Sequence, residues 1–260
     1  MNRALPWIAG ILAVVVAAAG GYYLLAHREP PPIPPAAVAP AERPGPTGPR
    51  NPIAAAPSEQ PLPSLNDSDA PVRDALVSLL GAQAVERFLN TEGAIRRIVA
   101  TVDNLPREEY SQRLDPVRPM PGVPRTTGEG ATLALAPENA ARYTAFIDLA
   151  TKVDTAKLVE IYRKDYPLFQ QAYVELGYPN GYFNDRLVEA IDDLLAAPEP
   201  PARIGLTTPH VLYEYADPDL EALSAGQKAM VRIGAANAAR VKAKLRELRA
   251  EVASAPSAPR

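Results

Sequence analysis

Thirteen of the chain's thirty prolines fall between Pro30 and Pro63. Nothing else in the sequence restricts the fold as strongly, because proline holds φ near about −65° and has no backbone N–H to give to a helix or sheet. The segment that carries them, "REPPPIPPAAVAPAERPGPTGPRNPIAAAPSEQPLP" over residues 28–63, contains no aromatic residue, and Arg28, Arg43 and Arg50 are matched by Glu29, Glu42 and Glu59. Such a composition cannot bury enough apolar surface to offset the entropy of ordering it. It is expected to be a disordered, semi-rigid spacer of polyproline character. At ~3.1 Å per residue its contour is on the order of 100 Å. "PPIPP" has the P-x-x-P spacing of SH3-type ligands, but a plain tether explains it without a dedicated receptor.

On the N-terminal side of the spacer runs "ALPWIAGILAVVVAAAGGYYLLA", residues 4–26, without a charged side chain. About 20 apolar residues suffice to cross a hydrocarbon core of roughly 30 Å. Trp7 near one end and Tyr22 and Tyr23 near the other stand where interfacial aromatics are expected. A cleaved signal peptide with "AAAG" at its cleavage site is the rival reading. A thin charged n-region and the return of apolar residues at Tyr22–Ala26 favour an uncleaved single-pass helix. Arg3 precedes the span, while Arg28 and Glu29 follow it, so the positive-inside rule gives only a small preference. The expected orientation puts the N-terminus inside and the bulk of the chain in the periplasm of a bacterial inner membrane.

From about Ser64 the texture changes to apolar faces punctuated by cap signals. "SDAPVRDALVSLLG" predicts a helix with Ser68 or Asp69 as N-cap, Pro71 in the first turn and Gly81 as the stop. "TEGAIRRIVATVDNLP" repeats the pattern, with Thr91 to begin, Ile95, Ile98, Val99 and Val102 on one face and Pro106 closing it. Residues 111–136 carry four prolines and three glycines and read as loop. Pro137 opens the next helix and Asp154 caps the one after it, which Pro167 is expected to kink or divide. In "GYPNGYFNDRLVEAIDDLL", Gly177 suits the left-handed residue that ends a helix, Asn180 and Gly181 supply turn chemistry, and a new helix should begin near Asn180. Residues 203–215 alternate as a small β-hairpin would, and "SAGQKAMVRIGAANAARVKAKLRELRAEV" is helical again. The expected fold is mainly α, in four parts: membrane anchor 1–27, Pro/Ala-rich disordered linker 28–63, compact helical domain 64–253 and disordered tail 254–260.

Four stretches carry a resemblance: "PLPSLNDSDAPVRDALVSLLG", "IVATVDNLP", "YPLFQQAYVELGYPNGYFNDRLVEAIDDLL" and "DPDLEALSAGQKAMVRIGAANAARVKAKLRELRAEV". Together they resemble a proteobacterial family known as domain of unknown function 3014, over roughly residues 60–252. The resemblance implies an envelope-anchored helical domain. It supplies no activity, cofactor or catalytic residue.

The residues themselves exclude more than they assign. With no cysteine, disulfides, thiolate nucleophiles and Cys-based metal sites are ruled out. A net charge of −3 argues against a general nucleic-acid binder. The sequence has no G-x-x-x-x-G-K-S/T, G-x-S-x-G or H-E-x-x-H motif. Ser224 and Lys228 are four apart rather than the three of S-x-x-K. His27 and His210, far apart and without cysteine, make no metal site. No cofactor or metal is expected.

Three candidates remain. Asp185, Glu189 and Asp192 or Asp193 recur along one helix face. Asp185 and Glu189 are therefore candidate catalytic carboxylates acting on glycan, oxygen donors to a cation or a partner, or simply the solvated side of an amphipathic helix. Tyr162, Tyr166, Phe169, Tyr173, Tyr178, Tyr182 and Phe183 crowd into one corner, either as core or as a stacking platform. Were that corner open, Tyr178, Tyr182, Asn184, Asp185 and Arg186 would form its binding site. Finally, the basic run Lys228, Arg232, Arg240, Lys242, Lys244, Arg246 and Arg249 reads as a solvated face, beside a heptad-like stripe of Val241, Leu245, Leu248 and Val252. The leading expectation is a non-enzymatic binding or scaffolding module for a periplasmic protein or peptidoglycan. The alternatives are a wall-active hydrolase or transglycosylase, and a structural subunit of an inner-membrane complex.

Overall fold

The computed structural model describes residues 48–54, 61–108, 115–209 and 213–253. The expected span 4–26, most of the Pro-rich segment, His27, His210 and the 254–260 tail lie outside the described residues, among which no helix is long and apolar enough to cross a membrane.

Helix α1, Asp69–Leu80, follows a short 3-10 turn at Leu65–Asp67 and stops at Gly81, whose φ of 83° is open to glycine at little cost. Ser68 occupies the N-cap position, but its hydroxyl donates to the Leu65 carbonyl at 2.8 Å. Helix α2 is Ala82–Phe88 and α3 is Ala94–Asn104. The expected face of α3, Ile95, Ile98, Val99 and Val102, is buried. Its start corrects the expectation at Thr91. Gly93 is the N-cap, and the Asp69 carboxylate of α1 accepts from the Gly93 and Ala94 N–H groups at 2.8 and 3.3 Å. An anion imported from another helix satisfies these orphan donors and complements the dipole, so no local hydroxyl is needed.

A 3-10 turn at Pro137–Ala140 leads into α4, Ala141–Thr151. Asp154 caps α5, Thr155–Glu175, accepting from the Lys157 N–H at 3.1 Å. Pro167 lies inside α5 and does not divide it. The residue is exposed, so the Arg163 carbonyl that loses its helical donor can turn toward water. Helix α6 runs Phe183–Ala196, three residues later than expected, because Asn180 and Gly181 belong to the turn. The C-terminal helical stretch divides at Gly234 (φ 83°), after the short α7 Pro218–Glu221, into α8 Ala225–Arg232 and α9 Ala235–Val252.

Two short antiparallel pairs complete the fold. β1 (Thr126–Thr127) pairs with β2 (Ala134–Leu135), and β3 (Leu206–Thr207) with β4 (Glu214–Tyr215). The second pair lies where alternation placed it; the first corrects the reading of 111–136 as loop throughout. Periodicity had too little to work on, since each strand is two residues long. An Ala134–Gly205 bridge joins the pairs. A satellite core of Ile204, Leu206, Tyr215, Leu220 and Val231 lies with them.

The main core surrounds α6, whose Leu187, Ala190, Ile191 and Leu194 are at most 1% exposed. This helix packs against α3, α5, α8 and α9. Val241, Leu245, Leu248 and Val252 of α9 are buried in the same core, so the heptad-like stripe docks on the domain itself. The basic run is correspondingly less free than a solvated face. Lys228 pairs with Glu221 at 2.6 Å, Arg240 with Asp148 at 2.6 Å, and Arg249 with Asp192. Buried Lys244 donates to the Val153 carbonyl and Glu247.

The closest approach in the core is at Gly226 of α8, where an added Cβ would stand 2.7 Å from Leu194 Cδ2 and 3.1 Å from the Leu105 carbonyl oxygen. Gly226→Ala should therefore lower stability by about 1–3 kcal/mol, despite alanine's better helix propensity, because overpacking outweighs it. Thermal denaturation checks this. An unchanged or higher midpoint would mean that the α6–α8 contact is loose.

Candidate functional site

The residues singled out on "GYPNGYFNDRLVEAIDDLL" form the corner where α5 passes into α6, and the corner is built from the inside. Gly177 adopts φ 116° and ends α5. Tyr162, Phe169, Tyr173 and Phe183 are buried, with Phe169 stacked on Phe183 at 5.6 Å and Tyr162 edge-on to Phe169 at 5.4 Å. Most of the aromatic cluster is therefore core. Tyr178 stacks on Tyr173 at 4.6 Å and is only partly buried, while Tyr182 is exposed. Burial pushes the Tyr162 phenol well above its ordinary range, and burial followed by the neighbouring Asp103 charge does the same to Tyr173.

Gln170, which sequence reading did not single out, organises the turn. Its amide donates to the Gly181 carbonyl at 2.7 Å, while its oxygen accepts from the Phe183 N–H at 2.9 Å and the Tyr166 hydroxyl at 3.0 Å. One side chain thus satisfies the first donor of α6 and closes the loop before it.

Four of the five expected binding residues separate into two groups. Tyr178 and Arg186 face Asp103, a buried carboxylate at the end of α3. Arg186 donates from Nε to Asp103 Oδ1 at 3.0 Å and from Nη2 to the Asp103 carbonyl. Arg107 Nη2 reaches Asp103 Oδ2 at 2.7 Å and the Tyr178 hydroxyl at 2.6 Å, and that hydroxyl donates to Asp103 Oδ2 at 3.2 Å. Glu189 pairs with Arg186 Nη1 at 2.9 Å. Burial alone would depress the Arg186 guanidinium, but Glu189 and Asp103 outweigh it and hold its pKa above the usual range. Sequence reading missed Asp103. Its only signal was a lone acid at the end of an otherwise apolar face.

Asn184 and Asp185 face the other way. Asn184 is fully buried: its oxygen accepts from the Tyr162 hydroxyl at 3.0 Å, and its amide donates to the carbonyls of Asn51 and Val252, both at 2.9 Å. Asp185 Oδ2 accepts from the Arg50 N–H at 2.9 Å, and Oδ1 from the Asn51 N–H at 2.6 Å and the Asn51 side chain at 3.1 Å. Ile53 packs on the main core. The expectation of a linker without fixed contacts thus does not extend to residues 50–53. The two weak catalytic candidates, Asp185 and Glu189, are occupied by backbone donors and by Arg186 respectively. Tyr182 remains the exposed member, and Val174 and Leu176 at the end of α5 are exposed as well. Among the described residues no group of three or more His, Cys, Asp or Glu comes together to hold a metal ion.

Two carboxyl groups elsewhere are perturbed by burial. Asp115 is raised from the usual carboxylate range to about 8 by desolvation, which nearby Arg97 only partly opposes. Asp165 is raised to about 6 by desolvation, with Lys164 opposing.

A family model described as "Protein of unknown function (DUF3014)" matches residues 94–249. No curated protein and no solved structure matches the chain. The match spans α3 to α9 and so includes Asp103, Asn184, Asp185 and Arg186, but not residues 50–53.

Removing one partner of a buried pair strands the other charge. Arg186→Met should lower unfolding free energy by about 3–5 kcal/mol, whereas Glu189→Gln, on the exposed side, should change it by less than ~1 kcal/mol. Denaturant titration distinguishes these; equal effects would remove Asp103–Arg186 from its central place. A second expectation concerns pH. The native state holds protons on Asp115 and Asp165 that the unfolded chain releases near pH 4, so their contribution to stability is full below that pH. It is lost as pH rises through about 6 and about 8. Asp115→Asn should raise the thermal midpoint at pH 8 while leaving it near wild type at pH 4, and a pH-independent effect would contradict the assignment.

Proposed function

For a chain that belongs to the family of proteins of unknown function DUF3014, we propose a non-enzymatic role: a binding or scaffolding module of the bacterial envelope, held at the inner membrane by residues 4–26 and presented in the periplasm. The observation that carries this reading is the use made of the candidate site. Asp185 spends both oxygens on Arg50 and Asn51, Glu189 is paired with Arg186, and most of the aromatic corner is core. Side chains committed to holding a chain segment and a buried ion pair are poorly placed to act on a substrate. An uncharged span and a Pro-rich segment ahead of the domain supply anchor and reach. The partner is a periplasmic protein or peptidoglycan, met through exposed apolar side chains of the α5–α6 corner, Val174, Leu176 and Tyr182.

Photo-crosslinking from positions 176 and 182 of the full chain in intact cells tests the reading. An envelope protein or muropeptide adduct absent from a control position is expected, and none above background would overturn it. Alkaline phosphatase fused after Arg260 should be active; an inactive fusion would reverse the orientation. Release of soluble fragments from sacculi by the purified chain, abolished in Asp185→Asn or Glu189→Gln, would replace this proposal with the hydrolase alternative.

A further inference from the structure

Residues 50–53 are read by the domain as a peptide would be. Their contacts use successive main-chain groups: the N–H of Arg50 and of Asn51 to Asp185, then the Asn51 carbonyl to Asn184. One side chain, Asn51, adds a third donor to the same carboxylate, and Ile53 inserts its apolar side chain against the core. Pro49 and Pro52 bracket Arg50 and Asn51. Their missing N–H groups fall where the clamp uses none, and their fixed φ lowers the entropy lost on ordering the segment. The acceptors are placed in advance. Asn184 is immobilised by Tyr162 and Val252 as well as by the strap, and Asp185 lies in the first turn of α6, where its charge is favoured. The contact is small, and the Arg50 end of it is exposed, so opening it does not require opening the core.

We propose that Asn184 and Asp185 form a peptide clamp occupied in cis by the chain's own Pro49–Ile53 strap. The clamp recognises a short bent segment with two adjacent free N–H groups, the second on an asparagine, followed by proline and an aliphatic residue. A partner segment of that chemistry competes with the strap. Release frees the chain from residue 50 up to Leu62, which packs on the core, to add to the tether: about 35 Å of extended reach at ~3.1 Å per residue. This consequence for reach rests on the membrane-tether reading above, whereas recognition by the clamp does not.

The test uses the full chain in detergent. Asn51→Ala with Ile53→Ala weakens the strap without touching the helical domain, and a fluorescently labelled peptide of sequence GPRNPIA (residues 48–54) is the probe. The double variant is expected to bind the probe at least about tenfold more tightly than wild type, where the strap competes, given what charge-assisted hydrogen bonds are worth. Adding Asp185→Ala should abolish binding, and the isosteric Asp185→Asn serves where alanine disturbs folding. In the wild-type chain the Arg50–Asn51 bond should resist trypsin, and Asp185→Asn should expose it to cleavage about tenfold faster. No binding to the double variant, binding that survives loss of Asp185, or equal cleavage of the Arg50–Asn51 bond would each overturn the proposal. None of these readouts depends on membrane attachment, so a failed crosslinking survey and a failed clamp are separate results.

Discussion

The Asp103 carboxylate is buried among apolar helices, and a charge in that position is tolerated only if it is fully paired. Arg186 and Arg107 pair it, and Tyr178 adds a hydroxyl to the same oxygen as Arg107. Satisfying this one group fixes the end of α3 against the first turns of α6 and against the turn that precedes it. Because α6 also carries the central apolar row, the orientation imposed by Arg186 sets where Leu187, Ile191 and Leu194 meet α3, α8 and α9. Hydrophobic burial supplies most of the stabilisation in such a core, but it is non-directional. The ion pair is what gives α6 its rotational setting.

The opposite side of the same helix turn is used differently. Asn184 and Asp185 hold main-chain groups that arrive from more than 130 residues away in sequence. Three successive residues of α6 therefore look onto unrelated structures: Asn184 and Asp185 grip the strap, and Arg186 completes a buried charge network. Asn184, Asp185, Arg186, Asp192 and Asp193 all have partners, which come from α3, α5, α8, α9 and the Pro-rich segment.

Sequence reading succeeded where local chemistry decides. The Asp154 cap, the Gly81 and Gly177 stops and the face of α3 all follow from side-chain spacing and backbone preference. It missed what depends on residues distant in the chain. Thr91 has the right chemistry for an N-cap, yet Asp69 took the role because packing α1 against α3 brought a carboxylate to the helix end. Lys228 and Lys244 looked like members of a solvated face, yet their ammonium groups are buried against partners that only folding supplies.

By itself, the sequence determined the mainly helical class, the small hairpin near 203–215 and the apolar face of α3. Each of these depends on local preference, or on a periodicity visible within a few turns. Only the tertiary structure decided what the polar residues of α6 do. A carboxylate's role is set by whichever donors lie within about 3 Å of it, and for Asp185 those donors are the backbone of Arg50 and Asn51. Spacing along a helix records which face a side chain occupies, but not what the folded chain lays against that face.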